Sequence, residues 1–450
     1  MTCSGPDPTA PHPTARHPTA QYATAGPAPR GAGPAGADLS GVPRAAALPR
    51  MVRVRQPVRG PRVADAAAAT RDTLAALGLG ALPGRRIAVA VGSRGIADVV
   101  PVVAACVAHL RALGAEPFVV PGMGSHGGAT EAGQREVLAG LGVTERSVGC
   151  PVVCATESVP VAEALGAGTL MLRPAAEADH VVVVNRVKPH TDFSGGIESG
   201  LAKMLAIGLG GPDGAVRQHR LAARLGGLER VVVAGAEALL ATGRPLFGLG
   251  IVENGGHTTA LVEAVGPDRL LGRERELLRL AKEWTPRLPV DDLDVLLVDQ
   301  FGKDVSGAGM DSKVVGRHSV PFEPPFTTPR IRYLVAGELT PVSHGNAAGI
   351  GNADFVTRRL AEAVDWSATY RNSLTSGSPA SSRCPVVVPT LDDGLRIAVG
   401  ALGLPDPTEA RVVRIRNTLA LAEIDVSASL LDACGDDVTV LGPTPEPDPT

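Results

Sequence analysis

Residues 185–220, reading NRVKPHTDFSGGIESGLAKMLAIGLGGPDGAVRQHR, bring His190, Lys203 and His219 into one glycine-dense stretch. Two imidazoles and an amine on such a backbone suit a metal or cofactor site. Upstream, PGMGSHGGAT places His126 in a second glycine-rich turn. These residues predict a cofactor-dependent enzyme of small-molecule metabolism.

Each residue has a plainer reading beside the chemical one. His126 either serves a ligand that needs close backbone approach or decorates a turn. His190 follows an apolar run, and Pro189 restricts the backbone before it. A neutral imidazole there can act as acid, base or metal ligand, with Asp192 to orient it. Lys203 stands among Leu201, Met204 and Leu205. Desolvation there suits an amine nucleophile, whereas a snorkelling helix-edge lysine is the ordinary alternative. His219, between Arg217 and Arg220, reads alone as an exposed basic helix end. Arg94 in VGSRGI can grip a carboxylate or phosphate, or be a surface arginine. Lys303 and Lys313 flank Asp304 in GKDVSGAGMDSK, where a lysine can close on an anionic substrate. His344, Asn346 and Asn352 form either a polar wall or turn chemistry.

The elements that must position these groups alternate. ADAAAATRDTLAAL, IADVVPVVAACVAHLRALG and TEAGQREVLAGLG carry helical spacing, Thr130 and Gly142 marking the ends of the last. RRIAVAV, EPFVV and HVVVV are short apolar strands, and ERVVVAGAEAL and ALVEAVGP read as later ones. Strand–helix alternation predicts α/β architecture: two α/β domains, mostly parallel sheets and a cleft between them. Arg94, His126 and His190 each follow a strand, at the edge where such sheets bind ligands.

The boundaries expected are a Pro/Ala/Gly-rich disordered tail over 1–50, a catalytic and cofactor-binding domain over 51–285, a substrate-closing domain over 290–430, and a tail over 431–450. Two prolines near Trp284 mark the hinge. DLDVLLVDQFG and IRYLVAGELT supply strands of the second domain.

Bulk properties narrow the classes. At 450 residues two domains are expected. A net charge of −3 and 3% aromatics argue against a nucleic-acid partner. No apolar run reaches the roughly 20 residues of a membrane span, and no signal core begins the chain. A cytoplasmic protein is expected. The six cysteines are scattered, as reduced structural thiols are. Phosphate-loop, zinc-protease and nucleophile-elbow motifs are absent.

Arg94, His126 in GSHGG, His190 in KPHTDFSGG, Lys203 and His219, in that order, resemble the nickel-pincer lactate racemase family over residues 55–425. The resemblance implies nickel held by a pyridinium-derived mononucleotide with two sulfur arms, tethered to Lys203 through a thioamide. It implies that His219 ligates the nickel and that His126 and His190 are the acid–base pair. Arg94 and Ser194, Gly195 and Gly196 would lie near the cofactor, and Arg94, Lys303 or Lys313 would hold the substrate carboxylate. The implied reaction is racemisation or epimerisation of a 2-hydroxy acid. The C2 hydrogen leaves as hydride and returns to the other face of a planar 2-keto acid, one base serving each face. Enzymes that make the cofactor are then implied partners.

The chain departs from the archetype by a short insertion between Ser194-Gly195-Gly196 and Lys203, and in the loop after the first strand of the second domain. Lys188 is an alternative tether, but it precedes His190 and breaks the family order. Other classes remain open on the residues alone: a non-catalytic carrier of a nucleotide-like cofactor, or a hydrolase or dehydratase using His126, His190 and His219 around another metal.

Overall fold

The computed structural model describes residues 37–93 and 95–444. The strands run in chain order as β1 (Met51–Arg55), β2 (Arg86–Val91), β3 (Glu116–Pro121), the hairpin β4 (Ser158–Ala164) and β5 (Ala167–Leu172), β6 (His180–Arg186), β7 (Pro245–Glu253) and β8 (Thr259–Val265). The helix Leu270–Trp284 then leads to β9 (Asp292–Phe301), β10 (Arg330–Leu339), β11 (Phe355–Thr357), β12 (Val386–Val388), β13 (Val412–Ile415), β14 (Glu423–Ser427) and β15 (Thr439–Pro443).

The protein has an α/β fold built on two mostly parallel sheets. The first has the order β3-β2-β6-β7-β8, parallel except for β8. Its central strands are apolar at successive positions because both faces are covered. Ala88, Ala90, Val181 and Val183 join the core on one face; Ile87, Val89, Val182 and Val184 join the core on the other. The second sheet has the order β12-β11-β10-β9-β13-β14-β1-β15, with its antiparallel strands at one end. Here too the faces alternate: Leu296 and Val298 pack on one side, Val295 and Leu297 on the other.

Four expectations change. The segment ERVVVAGAEAL is the helix Leu228–Leu240, not a strand. Its buried positions are Leu228, Val231, Val232, Gly235, Ala236 and Leu239, a 3.6-residue stripe that outweighs three consecutive valines. The β1 strand belongs to the second sheet, between β14 and β15, although it begins the stretch expected to form the first domain. The 431–450 segment is not wholly a tail, because β15 pairs with β1. Nor is the whole of 1–50 a tail: Leu39, Val42, Ala45 and Leu48, spaced by three, pack into the second sheet's core. The Ala45 N–H also donates to the Arg396 carbonyl at 2.9 Å. His12 and His17 lie outside the described residues.

The capping residues read from sequence are in place. Thr130 accepts the Gly133 N–H at the start of the helix Glu131–Gly140, and Gly142 beyond its end has φ +79°. Among the described residues the five cysteines are free thiols, and no helix is long and apolar enough to cross a membrane.

Candidate functional site

The parallel strands β2, β3 and β6 end on the same edge of the first sheet, so the segments after them meet there. Ser93 follows β2, His126 follows β3, and Lys188 and His190 follow β6. A cleft of about 660 Å³ opens at that edge. His126, His190, Lys203 and His219 all line it. Lys303 and Asp304, from the loop after β9 of the second sheet, line it from the other side. Arg94 lies outside the described residues; its neighbours Ser93 and Gly95 line the cleft.

His126 is held by Ser93, whose Oγ lies 2.6 Å from Nδ1. The adjoining Gly127 serves the packing of the loop. A Cβ on Gly127 would stand 2.6 Å from the Gly133 carbonyl carbon and 2.7 Å from the Gln134 nitrogen, so glycine lets this turn dock on the following helix.

Lys203 sits on the short helix Leu201–Ala206, whose other side chains are all buried: Leu201, Ala202, Met204, Leu205 and Ala206. Two supports fix that helix. Gly235 of the helix Leu228–Leu240 approaches so closely that a Cβ would lie 3.0 Å from the Ala206 Cβ. Glu274, fully buried on the helix Leu270–Trp284, accepts the Ala202 N–H at 2.7 Å. Burial pushes the Glu274 carboxyl up to about 7.

His190 makes two defined contacts. Its Nδ1 accepts the Asp192 backbone N–H at 3.0 Å, and its Nε2 meets Lys203 Nζ at hydrogen-bond distance. Burial, then the ammonium groups of Lys203, Lys188 and Lys313, hold its pKa well below the usual imidazole range. Burial likewise pushes the half-buried Asp192 carboxyl up. His219, on the helix Gly211–Leu225, is an exposed residue. The surrounding protein and Lys203 nevertheless lower its pKa to about 4. Both imidazoles are therefore neutral at pH 7, the form that accepts protons or ligates metals.

The other expected residues take different places. The Ser194-Gly195-Gly196 turn does not line the cleft. The Gly196 and Ile197 N–H groups donate to Glu229 Oε1 at 2.6 and 2.9 Å, and the Gly195 carbonyl accepts from Lys282 at 2.8 Å. A Cβ on Gly195 would overlap the Glu229 carboxylate. Lys313 is also outside the lining, its ammonium lying 2.5 Å from Glu198 Oε2. Lys303 reaches the cleft while donating to the Gly307 and Ala348 carbonyls. Asn346 and Asn352 do turn chemistry, bonded to Asn372 and Ser319.

Sequence reading missed Ser93, the Arg186–Glu253 ion pair in the cleft wall, and the fully buried Glu198. One signal was available. The chain has five lysines against 38 arginines. Lys188, Lys203 and Lys303 line the cleft, and Lys282 and Lys313 both bind Glu198. A chain that otherwise uses arginine keeps ammonium groups at this one region, where a compact, deprotonatable cation differs most from guanidinium.

No family model matches the chain, and no curated protein matches it in sequence. Among solved structures it is similar to the lactate racemase apoprotein from Thermoanaerobacterium thermosaccharolyticum, with a TM-score of 0.50 and 12% identity. The match covers 84% of this chain and 98% of that one. At this identity the likeness establishes a shared fold.

The donor set sorts the possible metal chemistries. Among the described residues no group of three or more His, Cys, Asp or Glu side chains is placed to hold a metal. A metal bound by side chains alone, as the hydrolase reading requires with His126, His190 and His219, has no three-ligand site there. A metal carried by an organic ligand needs only one protein donor and one attachment point. Neutral His219 and the Lys203 amine fit those needs.

Proposed function

We propose that this chain is a racemase or epimerase of a 2-hydroxy acid that uses a nickel-pincer nucleotide attached to Lys203. The observation that supports it is the convergence of His126, His190, Lys203 and His219 on one interdomain cleft, in a fold shared with a lactate racemase apoprotein. Lys203 is the tether and His219 the protein ligand to nickel. Arg94 and Lys303 are the candidates for the substrate carboxylate. Enzymes that build the cofactor are the implied partners.

When bound, the cofactor supplies the hydride acceptor. The protein's own part is proton transfer and placement. His126 and His190 are the acid–base pair, one for each face of the substrate carbon. Ser93 at Nδ1 of His126 and the Asp192 N–H at Nδ1 of His190 orient the two rings in the cleft. A cleft walled by both sheets limits water around the planar 2-keto acid.

Chiral chromatography of single-enantiomer 2-hydroxy acids, incubated with protein co-produced with the cofactor-making enzymes, tests the reading. Interconversion of both enantiomers of one acid is expected. Retention of configuration throughout a panel of small 2-hydroxy acids by nickel-loaded protein would overturn it.

A further inference from the structure

Glu198 is fully buried and its carboxylate receives four donors. Oε1 takes Lys282 Nζ at 2.6 Å and the Gly195 N–H at 3.1 Å. Oε2 takes Lys313 Nζ at 2.5 Å and the His190 N–H at 2.6 Å. Four donors fill the four acceptor positions of a carboxylate, so the group is saturated. The two backbone donors come from the ends of the 190–195 turn, which the carboxylate therefore closes. Lys282 belongs to the helix Leu270–Trp284, which also carries Glu274 and so supports the Lys203 helix. Lys313 belongs to the short helix Ser312–Val315 after β9, on the second sheet's side of the cleft.

We propose that Glu198 is a positioning residue that holds His190 against Lys203, and that Lys313 completes its clamp from the other side of the cleft. The seating of the second sheet is thereby registered at the His190–Lys203 pair. The use of two lysines follows from geometry. A bidentate guanidinium would occupy both oxygens and displace the His190 and Gly195 N–H groups, whereas an ammonium takes one position and leaves the other. Lys313 thus acts through Glu198 rather than on substrate. The inference rests on the reading of His190 and Lys203 as the reactive pair. It makes no use of the cofactor.

The test is competitive acylation of the unloaded full-length protein with an amine-directed reagent, followed by peptide mass mapping. Lys303 is the internal reference, because it lines the same cleft and donates to the Gly307 and Ala348 carbonyls. In Glu198→Gln and Lys313→Met, the Lys203-to-Lys303 labelling ratio is expected to fall by about fivefold or more, as for a typical intersite coupling. Lys313→Met keeps Glu198 paired with Lys282 and carries the test if Glu198→Gln does not fold. An unchanged or increased ratio in a variant with a native melting transition would overturn the proposal. That failure would leave the cofactor reading standing, since cofactor attachment and nickel content are measured separately.

Discussion

His190 and Lys203 face each other through the imidazole Nε2 and the ammonium nitrogen, while the opposite ring nitrogen is already occupied by the Asp192 N–H. An amine that faces a neutral imidazole is a better nucleophile than one ion-paired with a carboxylate. Amine-directed labelling near neutral pH should therefore modify Lys203 ahead of Lys282, whose ammonium is held by Glu198. Replacing His190 with Phe should abolish that preference. Equal labelling of Lys203 and Lys282 in the unaltered protein would contradict the arrangement.

The acid–base assignment gives a separable outcome. His126→Ala or His190→Ala should lower turnover by about 10²–10⁴-fold, the usual range for general acid–base catalysis. Both variants should still carry the Lys203 adduct, since neither removes the amine or His219. Mass spectrometry and chiral turnover assays on the same preparations separate the two effects. Loss of the adduct together with activity would assign these histidines to cofactor attachment instead.

Glu274 predicts an unusual dependence of stability on pH. Its folded pKa, about 7, lies above the ordinary carboxyl value because of burial. The stability it contributes is full below about pH 4.5 and is lost as pH rises through 7. Glu274→Gln keeps an acceptor for the Ala202 N–H without a charge to bury. Denaturant melts should show the variant more stable at pH 8 by about 1–3 kcal/mol, and nearly equal to the parent at pH 5. A parent more stable at pH 8 would overturn this account of the buried acid.

Gly200 is coupled to the same carboxylate. Its φ of 176° is open to any residue, but a Cβ would overlap Glu274 Oε1. Gly200→Ala should therefore destabilise by about 1–3 kcal/mol through overpacking alone. Combined with Glu274→Ala the penalty should shrink, and a double-mutant cycle measures the coupling. Strict additivity would contradict the overlap.

Much of the fold was legible because its strands are doubly buried. Runs such as VVVV at 181–184 admit few other readings once glycine-rich loops follow them. The sites after β2, β3 and β6 were legible for the same reason, since parallel strands send their ends to one edge. The helix Leu228–Leu240 was misread because Val231, Val232 and Val233 favour strands locally, while its burial period, set by packing, is helical. The pairing of β1 with β14 and β15 joins residues about 370–390 positions apart and leaves no local trace. Glu198 was missed because a buried carboxylate and a solvated one look alike in sequence; its partners come from Lys282 and Lys313, far along the chain. The scarcity of lysine was a usable signal, and it points to the same cleft.

The most direct test of the central claim is intact-mass spectrometry with peptide mapping and nickel analysis, on full-length protein co-produced with the cofactor-making enzymes. The account predicts an adduct of a few hundred daltons, about the mass of a mononucleotide, confined to Lys203, with nickel near one atom per chain. It further predicts that His219→Ala keeps the adduct and loses most of the nickel. An unmodified Lys203 and no bound nickel, under conditions where a known enzyme of this type is loaded, would contradict it.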